Sequence, residues 1–147
     1  MIIKIPIEIL VIEGNGCHLF VDCMINKTIS CSLIIDTGAS KTVFDYNLLN
    51  LISEKIEKSE EIKSAGVGGE ITMSEFANIS NFKIGELEIE NLETVLIDLS
   101  NVNEIYEPII KKKIWGLIGG DFLLKYKSKI DYKTKILTIR IRKNAKK

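Results

Sequence analysis

What this 147-residue sequence lacks narrows its chemistry before any motif is considered. It lacks net charge, with 20 Lys and Arg against 20 Asp and Glu. No global field therefore recruits nucleic acid or a membrane surface, and neither is expected as a partner. It also lacks any apolar run long enough to span a bilayer. The stretch from Met1 to Leu10 is apolar but broken by Lys4 and Glu8, with no basic start and no small-residue cleavage site. It does not read as a signal peptide. The means for a zinc site or a disulfide framework are missing too. Cys17, Cys23 and Cys31 are odd in number, have no Cys-x-x-Cys spacing, and are joined by a single histidine, His18. Buried thiols in a reducing, cytoplasmic setting are expected, with no metal and no cofactor.

What is present points to strands. Only 2 prolines occur and isoleucine is abundant, a β-branched bias that favours a mostly β fold. Hydrophobic residues at 46% and charged residues at 27% are ordinary for a soluble globular chain. One domain over 1–147 is expected, with 143–147 as a disordered basic tail. Strict alternation predicts a strand from Ile3 to Ile9, placed at an edge by Pro6. His18 to Ile25 and Ile29 to Ile35 read as a hairpin about Asn26-Lys27-Thr28, with His18 an ordinary surface or half-buried side chain. Asp45 is placed to cap a helix through Leu48, Leu49 and Ile52, and Ser53 to Lys63 reads as a charged, solvent-facing run. Strands are predicted over Ile71–Ile79, Phe82–Ile84, Leu87–Ile89 and Thr94–Asp98. A helical segment Val102–Ile110, interrupted at Pro108, carries no assignable chemistry. Ile114–Ile118 enters Gly119-Gly120, after which Asp121 is expected to cap Phe122–Tyr126. Ser128–Tyr132 and Ile136–Ile141 close the chain as a hairpin, with Leu137, Ile139 and Ile141 on its buried face.

The chain is organised around Leu33-Ile34-Ile35-Asp36-Thr37-Gly38-Ala39-Ser40. Three apolar residues drive a strand straight at a carboxylate, which is costly to bury unless its charge is compensated. Thr37 offers a hydroxyl, and Gly38 lets the backbone bend and bring N–H groups to the carboxylate. This suits an acid whose proton affinity is tuned, although a solvated hairpin turn would need the same residues. Gly66-Val67-Gly68-Gly69 reads as a hairpin tip. No Gly-Lys-Ser/Thr follows it, which argues against a phosphate loop.

Apolar-apolar-Asp36-Thr37-Gly38-Ala39-Ser40, followed by Val43-Phe44, resembles the active-site loop of the retropepsin-like aspartic proteases. Gly116-Leu117-Ile118-Gly119-Gly120-Asp121-Phe122-Leu123 is similar to that family's second signature, and the glycines from Gly66 to Gly69 stand where the family carries its flap. The resemblance implies a closed β-barrel of the acid protease fold, with a short C-terminal helix and a flap hairpin. It implies an aspartic endopeptidase in which Asp36 is catalytic. Thr37 would brace the paired loops, Gly38 and Ala39 would lie beside the substrate backbone, and Ser40 would support the loop. Gly66, Val67, Gly68 and Gly69 would form the flap, and Leu117, Ile118 and Gly119 would pack behind the catalytic loop.

Such catalysis needs two carboxylates, and this chain has one Asp-Thr-Gly. A two-lobed enzyme within one chain is thus excluded. A homodimer that brings two copies of Asp36 to a two-fold axis supplies the pair, with a peptide or protein as substrate. The terminal strands are candidates for the dimer interface. The alternative is a non-catalytic peptide-binding or interaction module on the same fold.

Overall fold

The computed structural model describes residues 1–12, 14, 16–51, 56–65 and 71–142, with the side chains of 56–65 and 71–75 excepted. The glycines from Gly66 to Gly69 and the tail 143–147, both singled out above, lie outside the described residues.

The alternating amino-terminal segment forms two strands where one was expected. β1 (Ile2–Pro6) pairs with the last strand of the chain, and β2 (Glu8–Ile12) pairs with the next one. The change of partner falls just past Pro6, which has no N–H to offer a ladder. Ile7 donates instead to the carbonyl of Lys135 at 2.9 Å. Ile3, Ile5 and Ile7 are buried, so the alternation predicted the facing correctly across the break.

β3 (Gly16–Ile25) and β4 (Ile29–Ile35) form the expected hairpin, turning through Asn26 and Lys27 at positive φ. After β4 come β5 (Val43–Asp45), α1 (Tyr46–Asn50), β6 (Ile56–Ala65), β7 (Ile71–Ile84), β8 (Leu87–Ile97) and α2 (Ser100–Ile110). β9 (Ile114–Ile118), α3 (Gly120–Lys125), β10 (Lys129–Asp131) and β11 (Ile136–Arg140) complete the chain. Two pairs of predicted short strands are fused into the long β7 and β8. The charged run through Lys63, expected only to face solvent, supplies β6, an edge strand paired with β7. A row of charged side chains on an edge discourages pairing with another chain, so the composition fits the position. Pro108 does not interrupt α2, which runs on to a left-handed cap at Lys111.

Hydrogen bonding runs in the order β3-β4-β9-β5-β8-β7, and β7 returns to β3 through Met24↔Lys83 and Ile25↔Phe82. This closes a six-stranded barrel, with β2 extending it beside β3 and β6 beside β7. Phe44 and Phe82 meet edge to face in its core at 6.0 Å. A three-stranded sheet, β1-β11-β10, packs Ile3, Ile5, Leu137 and Ile139 into the same cluster. Its terminal strands pair within the chain, and Met1 and Ile141 exchange backbone hydrogen bonds at 2.9 Å.

The parallel pair decides where the chemistry sits. β4 and β9 run in the same direction with Ile35 beside Ile118, so both carboxyl ends emerge together. The loop after β4 and the glycines after β9 are thereby forced into contact.

Candidate active site

Leu33, Ile34 and Ile35 are buried, and Asp36 stands half-buried where their strand leaves the barrel. The Asp36 N–H donates to the carbonyl of Ile118 at 2.9 Å, the last rung between the two strands. Beyond it the chain turns at once, with the Ala39 N–H donating to the Asp36 carbonyl at 3.2 Å. The Gly38 N–H then reaches back to Oδ1 of Asp36 at 3.0 Å. A backbone donor therefore orients the carboxylate. Thr37, Gly38 and Ser40 are exposed on the outer side of the turn, and Ala39 is half-buried.

Gly119 crosses this loop with no room to spare. A Cβ there would lie 2.5 Å from the Lys41 carbonyl oxygen and 2.9 Å from that of Ala39. Gly120 and Asp121 donate their N–H groups to the carbonyls of Ala39 and Ser40 at 2.6 and 3.1 Å. Ile118 is buried behind the loop, whereas Leu117 is half-buried and faces an open cavity.

Asp121, expected to cap α3, lies in its first turn and not at its cap position, and its Oδ1 accepts from the Phe122 N–H at 2.8 Å. α3 begins at Gly120 with Gly119 in the cap position, and the Asp121 side chain turns back to Thr42. Oδ1 accepts from both the N–H and the hydroxyl of Thr42 at 2.8 Å, and the Gly119 N–H donates to that hydroxyl oxygen at 3.1 Å. Neither Thr42 nor Asp121 was picked out as a site residue. The pair lies 79 positions apart in sequence, and no local pattern joins them.

A cavity of about 440 Å³ opens beside Asp36, between β3, β4, β9 and α2. Its lining includes Thr37, Leu117, His18 and Tyr106. Tyr106 comes from the helical segment to which no chemistry had been assigned. The spacing of Val102, Tyr106 and Ile110 marks one face of α2, which packs on Phe20, Ile34 and Ile114. That stripe was the available signal. Buried Asn103 docks the helix on β9: its side chain donates to the Ile114 carbonyl at 3.0 Å and accepts from the Ile114 N–H at 2.6 Å.

Tyr106 Oη lies 2.8 Å from His18 Nδ1, and the Tyr106 ring meets Phe20 edge-on at 5.8 Å. Burial, and then the charge on Asp36, push the Tyr106 phenol above its ordinary range. His18 is half-buried, as expected, but its place on the cavity wall is a finding of the structure.

Of the three thiols, Cys23 and Cys31 are buried directly opposite each other on β3 and β4, while Cys17 is exposed, against expectation. A hydrogen bond with Cys31 and burial raise the Cys23 thiol well above its usual range. No helix among the described residues is long and apolar enough to cross a membrane.

A closed barrel with a half-buried Asp36 on an Asp-Thr-Gly loop at its end, backed by a crossing glycine segment, is the architecture of an aspartic protease. The family model described as aspartyl protease matches residues 21–122, and the chain belongs to that family. Among solved structures, it is similar to the retroviral protease-like domain of Ddi1 from Leishmania major, with 20% identity and a TM-score of 0.54 over 87% of this chain and 90% of that one. It is also similar to a retropepsin-like aspartic protease from Rickettsia conorii, with 16% identity and a TM-score of 0.54 over 95% of this chain and 89% of that one. At these identities the likeness is one of fold, and the fold is retropepsin-like. No match was found among curated proteins.

Proposed function

We propose that residues 1–147 act as one aspartic endopeptidase domain that works as a homodimer, with Asp36 of each subunit forming the catalytic pair. The observation that carries this reading is the Asp36 carboxylate itself. It is aimed by the Gly38 N–H, set on a loop braced by β9, and open to a cavity large enough for peptide side chains. One carboxylate cannot do the work alone. Two of them at about 3 Å cannot both ionise, so one keeps a proton while the other stays charged, and the pair titrates as a unit.

The steps then follow from charge. The ionised carboxylate takes a proton from water as the water oxygen bonds to the scissile carbonyl carbon. The protonated carboxyl gives its proton to the carbonyl oxygen, forming a neutral tetrahedral diol. The carboxyl that took the water proton then gives it to the departing nitrogen, while the other carboxylate takes a proton from a diol hydroxyl. The C–N bond breaks, acid and amine are released, and the pair again holds one proton. Thr37 is exposed beside Asp36 and would brace the two loops across the axis. Gly38 and Ala39 would flank the substrate backbone, with Ser40 supporting the loop. Gly66 to Gly69, between the paired ends Ala65 and Ile71 of β6 and β7, would form the flap. β1 and β11 pair with each other within the chain, so exchange of these strands is not needed for folding. The subunits would meet around the Asp36 loops, where the catalytic pair forms, with the terminal strands as a further candidate for the interface. Free Cys23 and Cys31 facing each other fit a reducing compartment such as the cytoplasm.

Cleavage of a diverse peptide mixture tests the reading, with products identified by mass spectrometry from mildly acidic to neutral pH. Products that vanish in Asp36→Asn and rise more steeply than linearly with dilute enzyme are expected. Peptides that are bound equally by both proteins and never cleaved would establish a binding module in its place.

A further inference from the structure

The cavity beside Asp36 has two chemically distinct parts. Leu19, Ile34 and Leu117 form an apolar wall, while Tyr106 and His18 bring a hydroxyl and an imidazole to the same space. Its volume of about 440 Å³ falls in the range of ~300–1,000 Å³ typical of pockets that hold ligands. The polar part is held firmly. Tyr106 is fixed by its 2.8 Å bond to His18, by the edge contact with Phe20, and by Asn103 anchoring its helix three residues earlier.

A hydroxyl has one donor and two acceptor sites, and a neutral imidazole donates from one nitrogen and accepts at the other. If Tyr106 donates to His18, the phenol oxygen can still accept from a ligand. If His18 donates, the phenol hydrogen can be passed on to a ligand acceptor. In either tautomer the pair can meet a neutral polar tip. An ionised carboxylate in the same place is opposed by the charge on Asp36 and by its own desolvation.

We infer that Tyr106 and His18 determine specificity at this site, forming a subsite for a substrate side chain with an apolar body and a neutral hydrogen-bonding tip. Tyrosine is taken in preference to phenylalanine, and acidic side chains are rejected. Tyr106 touches the substrate, and His18 is a positioning residue that acts through Tyr106. This inference rests on the endopeptidase reading above for its role in cleavage.

Matched peptides that differ only in the side chain beside the scissile bond (Tyr, Phe or Asp) test it through kcat/KM. Wild type is expected to favour Tyr over Phe by roughly threefold to tenfold, the worth of one net hydrogen bond, and to cleave the Asp peptide least. Tyr106→Phe should bring the Tyr:Phe ratio close to one. His18→Ala should lower the ratio, and His18→Gln, whose amide can still pair with the phenol, should restore it. A ratio unchanged in Tyr106→Phe overturns the proposal. If wild type cleaves none of these peptides, the endopeptidase reading fails separately and the subsite is still decided without turnover. The chain has 1 histidine, so the His18 ring signals in NMR report on this cavity alone. N-acetyl-tyrosinamide should shift them, and the N-acetyl α-amide of aspartic acid, with its side-chain carboxylate free, should not. No shift with the tyrosine amide sinks the subsite whatever the fate of the enzyme.

Discussion

Asp121 binds Thr42 twice, taking both its N–H and its hydroxyl at 2.8 Å, and so ties the start of α3 to the far end of the catalytic loop. The same hydroxyl accepts from Gly119, and the carbonyl of Thr42 accepts from Thr94 on β8 at 3.1 Å. Thr42 thus joins the loop to β8, to Gly119 and to α3 at one buried point.

Thr42→Val keeps the shape but removes the hydroxyl, leaving the buried Gly119 N–H without its acceptor. A loss of about 1–3 kcal/mol in urea unfolding is expected, since an orphaned buried donor costs its desolvation. Thr42→Ser should recover most of it. An unchanged midpoint in the valine variant would show that the clamp adds nothing to stability.

Gly119 and Gly120 are adjacent, yet they should respond oppositely to alanine. A Cβ at 119 meets the Lys41 carbonyl oxygen at 2.5 Å, whereas one at 120 meets only the Ala39 oxygen, at 3.4 Å. Gly119→Ala should cost about 1–3 kcal/mol through overpacking and displace the Asp36 loop, lowering cleavage as well. Gly120→Ala, at the first turn of α3, should be near neutral or slightly stabilising. Equal melting temperatures for the two variants would contradict this geometry.

Asp131 turns the final hairpin, its Oδ1 accepting from the N–H groups of Lys133 and Thr134 at 2.8 and 3.2 Å. Those bonds hold its carboxyl below the ordinary value of 3.8. The folded value lies below the unfolded one, so the group stabilises fully above the unfolded value, and the contribution is lost as pH falls through the folded one. Melting temperatures measured against pH should show Asp131→Ala less stable than wild type at neutral pH, with the gap closing under strong acid. A gap that widens on acidification would reverse the assigned sign.

Thiol labelling separates the cysteines. Cys17 is exposed, while Cys23 and Cys31 are buried and the Cys23 thiol is held in its protonated form. One equivalent of a thiol reagent should react quickly with the folded protein, and Cys17→Ser should abolish that phase. The other two thiols should label only on unfolding. Fast labelling of Cys23 would mean that the β3–β4 face opens.

Much of the β structure was legible, from period-two alternation in strands such as β1 and from continuous apolar runs in buried ones such as β4. Ile3, Ile5 and Ile7 point inward although their strand breaks, because the period survives a change of hydrogen-bonding partner. The boundaries within β7 and β8 were not legible. Polar residues such as Asn81 and Glu90 interrupt the apolar pattern without interrupting the ladder, in which they pair with each other. β6 was missed because an edge strand can be rich in charged residues and still pair along one side.

By itself the sequence determined that a buried strand delivers Asp36 to a turn where Gly38 can bend back on the carboxylate. It also determined that glycines follow a second apolar strand. These are local facts, set by side-chain period and by the freedom of a residue without a Cβ. Only the tertiary structure decided that those segments meet, because the parallel pairing of β4 with β9 is a non-local choice that no window of sequence contains. The same holds for Asp121, whose carboxylate serves the first turn of its own helix and also reaches the distant Thr42. It holds also for Tyr106, whose helix becomes part of the Asp36 cavity only when Asn103 docks it on β9.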